Sequence, residues 1–321
     1  MKIVAADWLP YCLPFKQTWQ TANGLLSKRE GALLRLKTDD GLIGWGDAAP
    51  LPEFGISDAA AREFAEECAQ LDLAAQRAGL NLASWLSGEP APQRVTVNAV
   101  FGSIFSLEQD APARAITAGF RILKLKVGIG PVADEICLLQ ALSSLLPAGI
   151  QWRLDANAAW SASDAHAFIR STRDLPIEGL EEPLREPSHH SLRELQALAP
   201  YPLAIDESTH LLDQQLWHAP SVQRLIIKPA RCGGLLASME LALRARTAGL
   251  EVIITSSLES ACGLTACAHL AAAVAPYATH GLASADWFAN DTGQAPLITN
   301  GQMIIPRQAG IGFKPISDIS S

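Results

Sequence analysis

Short apolar runs that end abruptly in charged residues recur along the middle of the chain. The first four read RILKLKVG, RLDANAAW, GLEEPL and LAIDES, within residues 121–208. They recur at intervals of roughly 25 to 30 residues, the length of one strand, one helix and two short loops. Because the runs do not alternate with polar residues, they are typical of strands buried on both faces of a parallel sheet. The pattern therefore predicts an α/β fold built on a modified (β/α) TIM barrel.

The predicted barrel occupies residues 93–287. Its strands are predicted at 94–102, 122–127, 151–155, 177–181, 203–206, 223–228, 251–255 and 280–283. The helices between and after them are predicted at 111–118, 133–146, 161–172, 189–198, 211–217, 234–248 and 259–274. Polar residues cluster at the carboxyl ends of these strands, which form the catalytic face of such barrels.

The first 92 residues show a different pattern and predict an α+β capping domain. Short strands are predicted at 1–7, 32–37 and 42–45, and the last two flank TDDG, whose Asp-Gly pair indicates a hairpin turn. Residues 15–29 are polar and irregular and predict a mobile loop. The following stretch, GWGDAAPLPEFG, predicts a second shaped loop, because glycine and proline interrupt regular elements.

Two helices complete the predicted capping domain. Ser57 has the residue type of an N-cap, and the first helix is expected to end near Gly79. The second helix, 82–86, is expected to stop at Gly88. Pro90 then marks the boundary with the barrel.

Acidic residues end three successive predicted strands, at Asp155, Glu181 and Asp206. Around a barrel rim these side chains would converge. Three carboxylates repel one another, so a cation is expected between them. Ligands that are all oxygen suit a hard ion, and Mg²⁺ is the ion they favour. Lys126 and Lys228 end strands on either side of the acids and would complete an acid/base site.

Lys124 and Lys126 stand two residues apart on one predicted strand, so their side chains point the same way. Positive charge nearby, from Mg²⁺ and Lys124, disfavours the protonated form of Lys126. We therefore predict Lys126 as a general base, with Lys124 in an electrostatic role.

These segments resemble the enolase superfamily, in its muconate-lactonizing branch, which carries lysines on the second and sixth barrel strands. Within that branch, the length of the chain and the segments GWGDAAPLP and TSSLES resemble the o-succinylbenzoate synthase family. The resemblance covers nearly the whole chain and implies that residues 288–321 return to the capping domain. It implies Asp155, Glu181 and Asp206 as ligands of Mg²⁺, for which Mn²⁺ is a substitute. It also places Lys228 across the barrel from Lys126, as a second acid/base or as a fixed cation.

Further residues are candidates for substrate contacts or for support of the metal ligands. Ser256 and Ser257 precede a predicted helix, where hydroxyls and backbone N–H groups suit a carboxylate or simply cap the helix. The resemblance implies that both N-terminal loops shape specificity, through Trp19, Arg29, Pro50 and Phe54. The candidates for orienting the ligating carboxylates or balancing their charge are Asn157, Glu207 and Arg153.

The resemblance implies a lyase that dehydrates a hydroxylated cyclohexadiene carboxylate with a succinyl side chain, a step in menaquinone biosynthesis. The same site would also serve an N-acylamino acid racemase, a dipeptide epimerase or a cycloisomerase. Dipeptide epimerases carry a DxD pair after the last strand, whereas here Phe288 stands two positions after Asp286, which weakens that alternative. A scaffold protein and a Schiff-base lysine enzyme are further hypotheses. The intact acids and lysines argue against the first, and a carboxylate triad around the lysine has no use in the second.

Composition narrows the class of protein. The chain has 321 residues, of which 49% are hydrophobic and 18% charged, as in an ordinary globular enzyme. A net charge of −8 without basic runs excludes nucleic acid as a partner.

The six cysteines form no CxxC and no disulfide framework, and the first residues form no signal-peptide core, so a cytoplasmic location is expected. No apolar run is long enough for a membrane span. The expected partner is a small-molecule carboxylate, and either a monomer or a homo-oligomer fits the sequence.

Overall fold

The computed structural model describes residues 2–21 and 24–316. The strands are β1 (Ile3–Thr21), β2 (Gly24–Thr38), β3 (Ile43–Ala48), β4 (Arg94–Val97), β5 (Ala99–Ser103), β6 (Ile122–Lys126), β7 (Gln151–Asp155), β8 (Ile177–Glu181), β9 (Leu203–Ile205), β10 (Arg224–Ile227), β11 (Glu251–Ile254), β12 (Thr279–His280), β13 (Ile298–Thr299) and β14 (Gln302–Ile304). The helices are α1 (Asp58–Ala78), α2 (Leu82–Ser87), α3 (Ala111–Thr117), α4 (Val132–Ser143), α5 (Ala162–Ser171), α6 (His189–Leu198), α7 (Gln214–His218), α8 (Leu235–Thr247) and α9 (Ala261–Val274).

The described strands form three sheets. The largest runs from β5 to β11 in sequence order, with every registered pair parallel and a helix between each strand and the next. The others are an antiparallel sheet of β1, β2 and β3 and a sheet in the order β12-β4-β14-β13. The repeated strand–helix units and the parallel sheet are those predicted from the spacing of the apolar runs.

The chain divides into two compact units. One comprises residues 97–226 and 243–253, and the other comprises residues 1–96, 227–242 and 254–321. The division predicted from the sequence, with a capping domain at 1–92, a barrel at 93–287 and a returning tail, stays a prediction. In the described part of the chain, no helix is both long and apolar enough to cross a bilayer.

Ion pairs connect four strands, β7, β8, β10 and β11, of the unit formed by 97–226 and 243–253. Glu178 accepts hydrogen bonds from Arg153 at 2.9 and 3.0 Å, and it also pairs with Arg224, which in turn reaches Glu251 at 2.8 Å. Burial by itself raises the pKa of Glu178, but the two guanidinium groups lower it to about 2. A Cβ at Gly179 would collide with the Arg224 guanidinium, so this packing requires glycine there. The charges of Glu178 and of the two arginines therefore compensate one another.

The first predicted barrel strand, 94–102, is wrong as one element. Its first half is β4, which pairs with β14, and its second half is β5, which pairs with β6. The break is at Asn98, a fully buried residue whose Nδ2 donates to the carbonyl of Ala99. The apolar pattern continues through the break, so it carries no signal of the change of sheet.

The predicted mobile loop at 15–29 is also wrong. Instead, β1 and β2 pair as one long antiparallel hairpin, with an irregularity between Pro14 and Trp19. Phe15 stacks on Phe288 with the ring centroids 5.1 Å apart, and both pack with Leu13 and Leu258 in one apolar cluster. These contacts come from residues far along the chain, and they order a segment whose local sequence looked irregular.

Local signals at the ends of elements are confirmed. Ser57 caps α1 by accepting a hydrogen bond from the Ala60 amide, and Gly79 ends the helix with a φ of 68°. The predicted turn between β2 and β3 is present, with Gly41 at a φ of 87°. Such signals depend on neighbours in sequence, which explains why they could be recognised without the fold.

His269 lies fully buried in α9 and connects three segments of its own unit. Its Nδ1 accepts from the Ala83 amide, so its Nε2–H donates to the carbonyl of Ile311, both at 3.1 Å. Burial lowers the pKa of His269 from 6.5 to about 4. Asp72, which accepts from the Ile311 amide at 2.8 Å, shows the opposite behaviour, because burial raises its pKa to about 6.

The stability that neutral His269 contributes is expected to disappear on acidification. Because the pKa of His269 in the folded protein is below its unfolded value, the loss occurs as pH falls from about 6.5 to 4 and reaches about 3 kcal/mol. This loss is measured by urea unfolding of the wild type and of His269→Asn at several pH values between 7 and 4. The stability advantage of the wild type should shrink by that amount. The opposite contribution of Asp72 is common to both proteins and cancels. A difference that stays constant with pH would contradict the assignment.

Candidate active site

The register of the parallel strands places the predicted site residues side by side. Lys126 pairs with Asp155, and Asp155 pairs with Glu181, so the last residues of β6, β7 and β8 form one row. Registered partners in a sheet share a face. Glu181 pairs with Ala204, and Asp206 follows two residues later, on the same face.

The three acidic side chains meet at the carboxyl ends of these strands. One carboxylate oxygen from each of Asp155, Glu181 and Asp206 lies within 4.8 Å of the other two. All three residues are at most 4% exposed. Three converging, buried carboxylates are a concentration of negative charge that fits a hard divalent cation. The cluster can therefore hold a metal ion, and its all-oxygen donor set suits Mg²⁺.

Lys124 supplies positive charge within the acidic cluster. Its Nζ lies 3.0 Å from Asp155 and donates a short hydrogen bond to Glu181. Burial by itself lowers the pKa of Lys124, but Asp155, Glu181 and Asp206 more than offset it, so the pKa is raised. These carboxylates therefore favour the protonated form of Lys124, and its predicted electrostatic role stays a prediction.

The surroundings of Glu181 disfavour its ionised form. Burial raises its pKa, and the neighbouring charges of Asp155 and Asp206 act in the same direction, although Lys124 and Arg153 oppose them. A divalent cation among the three carboxylates would favour the ionised form of Glu181.

The loops that follow the acidic strand ends are linked to one another. The Asn157 amide donates to Asp155 at 3.1 Å, and the Asn157 side chain donates to Glu207 at 3.0 Å. Glu182 accepts from the backbone amides of Asp206 and Ser208. Of the two acids next to a predicted ligand, Glu182 thus contacts the Asp206 segment, while Glu207 accepts from Asn157 and its predicted role stays a prediction.

Arg153, a candidate for balancing the charge of the ligands, has its shorter contacts elsewhere. Its guanidinium donates to Glu178 and, at 3.0 Å, to Asn98, while its Nε lies 4.0 Å from Glu181. The contact with Glu178, at 2.9 Å, is shorter than the one with Glu181. The longer contact still adds positive charge beside Glu181.

The two proposed acid/base lysines belong to different compact units. Lys126 is the last residue of β6 and is half-buried. Lys228 directly follows β10 and is 8% exposed. The predicted roles of both lysines stay predictions.

Ser256 and Ser257 lie between β11 and α9, where each donates a hydrogen bond to a neighbouring acid. Glu259 accepts from the Ser256 hydroxyl at 2.6 Å and from the Ser257 amide at 2.8 Å. The free N–H group expected at Ser257 is therefore not free, because an internal carboxylate takes it. The Ser257 hydroxyl is buried and has no hydrogen-bond partner within residues 2–21 and 24–316. Contact of these serines with a substrate stays a prediction.

Arg29 is 3% exposed and joins three segments of its own unit. Its guanidinium donates to the carbonyls of Ala49, Pro50 and Leu258 at 2.8, 2.6 and 3.1 Å. These contacts tie β2 to both the glycine- and proline-rich loop and the turn after β11. Trp19 lies on β1 opposite Leu26, and its side chain is outside the described residues.

Sequence reasoning missed three buried acids: Asp47, Glu182 and Glu259. Asp47 accepts from the Tyr11 hydroxyl at 2.7 Å and from the Ser260 amide at 2.8 Å. Glu182 and Glu259 each stand within a segment already singled out, GLEEPL and TSSLES. In the sequence, the signal for these residues is an acidic residue next to an apolar run. A carboxylate buried there requires hydrogen-bond donors nearby.

Comparison with known proteins identifies the family. The model of the family described as "Enolase C-terminal domain-like" matches residues 107–319. An o-succinylbenzoate synthase of Pectobacterium atrosepticum is 30% identical in an alignment 303 residues long, which covers 86% of this chain and 88% of the relative.

Solved structures show the same fold. The L-Ala-D/L-Glu epimerase of Bacillus subtilis aligns with a TM-score of 0.88 at 23% identity, covering 98% of this chain and 99% of that protein. A dipeptide epimerase of Enterococcus faecalis complexed with Mg and a dipeptide aligns with a TM-score of 0.87 at 24% identity, covering 98% and 100%. The predicted α/β fold, a modified (β/α) TIM barrel with α+β capping elements, is confirmed.

Proposed function

Because this chain belongs to the enolase superfamily, we propose that it is a Mg²⁺-dependent o-succinylbenzoate synthase. The reaction is loss of water from a hydroxylated cyclohexadiene carboxylate with a succinyl side chain, which gives 2-succinylbenzoate for menaquinone biosynthesis. The observation that carries the proposal is the buried convergence of Asp155, Glu181 and Asp206 beside Lys126 at the carboxyl ends of parallel strands. The relatives of that name over most of the chain favour this reaction within the superfamily.

In this proposal Asp155, Glu181 and Asp206 hold the Mg²⁺. When bound, the ion supplies positive charge where the substrate carboxylate gains electron density as its α-proton leaves. Lys124, already paired with two of the acids, lowers the net negative charge of the site. These groups are in place before the reaction, so no reorganisation opposes the change in charge.

Lys126 moves the proton. Its neutral amine takes the hydrogen α to the substrate carboxylate, and the resulting ammonium returns a proton to the hydroxyl as that group leaves as water. Both transfers occur on one face of the ring, as a syn-elimination by a single residue requires. The ring becomes aromatic, which makes the step downhill. Loss of the α-proton leaves negative charge spread over the substrate carboxylate and the adjoining carbon. Lys228 is proposed as a cation facing this delocalised anion.

An assay of the purified protein with Mg²⁺ tests this function. The aromatic product is expected to form from the cyclohexadiene substrate, to require Mg²⁺ and to stop when EDTA is added. The same protein incubated in D₂O with N-acyl amino acids or dipeptides measures the competing reaction. Exchange with racemisation, and no dehydration of the cyclohexadiene, would replace the proposal with a racemase or epimerase of the same superfamily.

A further inference from the structure

The backbone of Glu182 connects the three segments that carry the acidic cluster. Its N–H donates to the carbonyl of Ala204 at 2.9 Å, two residues before Asp206. Its carbonyl accepts from the Ala158 amide at 2.8 Å, three residues after Asp155. Glu181 precedes it directly in the chain. Glu182 thus contacts the chain within three residues of each acid.

The side chain of Glu182 is occupied by the turn that contains Asp206. One carboxylate oxygen accepts from the Asp206 amide at 2.8 Å and from the Ser208 amide at 3.2 Å. The other accepts a short hydrogen bond from the Ser208 hydroxyl. The residue is 1% exposed, so these bonds form away from competing water.

The backbone conformation of Glu182 is one that residues other than glycine seldom adopt. Its φ is 42°, in the left-handed region, which costs about 1 kcal/mol or more for a residue with a Cβ. Such a conformation persists only where the surroundings determine it. The bonds to β9, to the loop after β7 and to the Asp206 turn are the surroundings that do so here.

We propose that Glu182 is a positioning residue that holds Asp206 in reach of Asp155 and Glu181, so that the three can share one divalent ion. This inference rests on the proposed function, because it takes the acidic cluster to be a metal site. Groups that orient metal ligands typically contribute 10- to 100-fold in affinity. Loss of the Glu182 carboxylate would free the turn, and Asp206 would bind less well.

Two substitutions separate the hydrogen bonds of Glu182 from its charge. In Glu182→Gln the amide oxygen can accept from the same two backbone amides, while the NH₂ group donates to the Ser208 hydroxyl. In Glu182→Ala every side-chain bond is lost. The glutamine variant should therefore keep most of the affinity that the alanine variant loses. Glu186→Ala is the matched control, because it removes an exposed acid from the same loop.

Calorimetric titration with Mg²⁺ is the test, after circular dichroism shows that each variant is folded. We expect Glu182→Ala to bind Mg²⁺ about 10- to 100-fold more weakly than the wild type, and Glu182→Gln and Glu186→Ala to stay within about 3-fold. Affinity within 3-fold for Glu182→Ala, or an equal loss in both Glu182 variants, would overturn the positioning role. If Glu182→Ala does not fold, Ser208→Ala replaces it, with a smaller weakening expected and unchanged affinity counting against the role.

The wild type separates the two proposals. A wild type that takes up no Mg²⁺ overturns both the metal site and the role of Glu182. If the wild type binds Mg²⁺ and forms the aromatic product, and Glu182→Ala binds Mg²⁺ as tightly as the wild type, only the role of Glu182 is overturned.

Discussion

Replacing Lys126 with alanine is expected to lower turnover of the cyclohexadiene substrate by about 10³-fold or more. In the proposed reaction this one amine removes the α-proton and returns it to the leaving hydroxyl, so alanine loses both transfers. Steady-state formation of the aromatic product measures the effect. Mg²⁺ affinity should remain near that of the wild type, because Lys126 is not a proposed ligand.

The exposed lysine at position 37 provides the control, and Lys37→Ala should leave turnover unchanged. Circular dichroism and the thermal midpoint would show that Lys126→Ala is folded. Turnover within 10-fold of the wild type, in a folded variant, would remove Lys126 from the mechanism.

Lys124→Met is expected to make the folded protein strongly dependent on a divalent cation. The Lys124 ammonium is paired with Asp155 and Glu181 in a buried site. Removing one partner of a buried ion pair leaves uncompensated charge and typically costs about 3–5 kcal/mol. Urea unfolding in EDTA should show this loss, and saturating Mg²⁺ should restore part of it, because the ion replaces the missing charge.

Lys28→Met is the matched control for the loss of a lysine ion pair. Lys28 pairs with Glu30 at 2.9 Å on the surface, where such pairs contribute little. This variant should unfold like the wild type with or without Mg²⁺. Equal stability of Lys124→Met and the wild type in EDTA would show that the acidic cluster does not need the lysine.

Much of the candidate site could be predicted because it repeats along the chain. Asp155 and Glu181 end strands, and Asp206 directly follows one. Parallel strands in register bring their ends together, and the alternation of side chains fixes the face. Once the repeat indicates a barrel, these acids are expected to meet. The caps at Ser57 and Gly79 were predictable for a related reason, since they depend on residues only a few positions away.

The rest depended on contacts between residues distant in sequence. Phe15 is ordered by Phe288, and Arg29 by the carbonyl of Leu258, so the segment that looked irregular forms a hairpin. No local pattern encodes such partners.

The sequence by itself determined which strand ends carry charge and how the helices begin and end, because period and capping act within a few residues. Only the tertiary structure decided which acid accepts the hydrogen bonds of which turn. Glu207 stands beside Asp206 in the chain, yet the Asp206 and Ser208 amides donate to the carboxylate of Glu182, which directly follows the neighbouring strand β8. The physical reason is that a hydrogen bond depends on where donor and acceptor lie in space, and the pairing of β8 with β9 sets that distance.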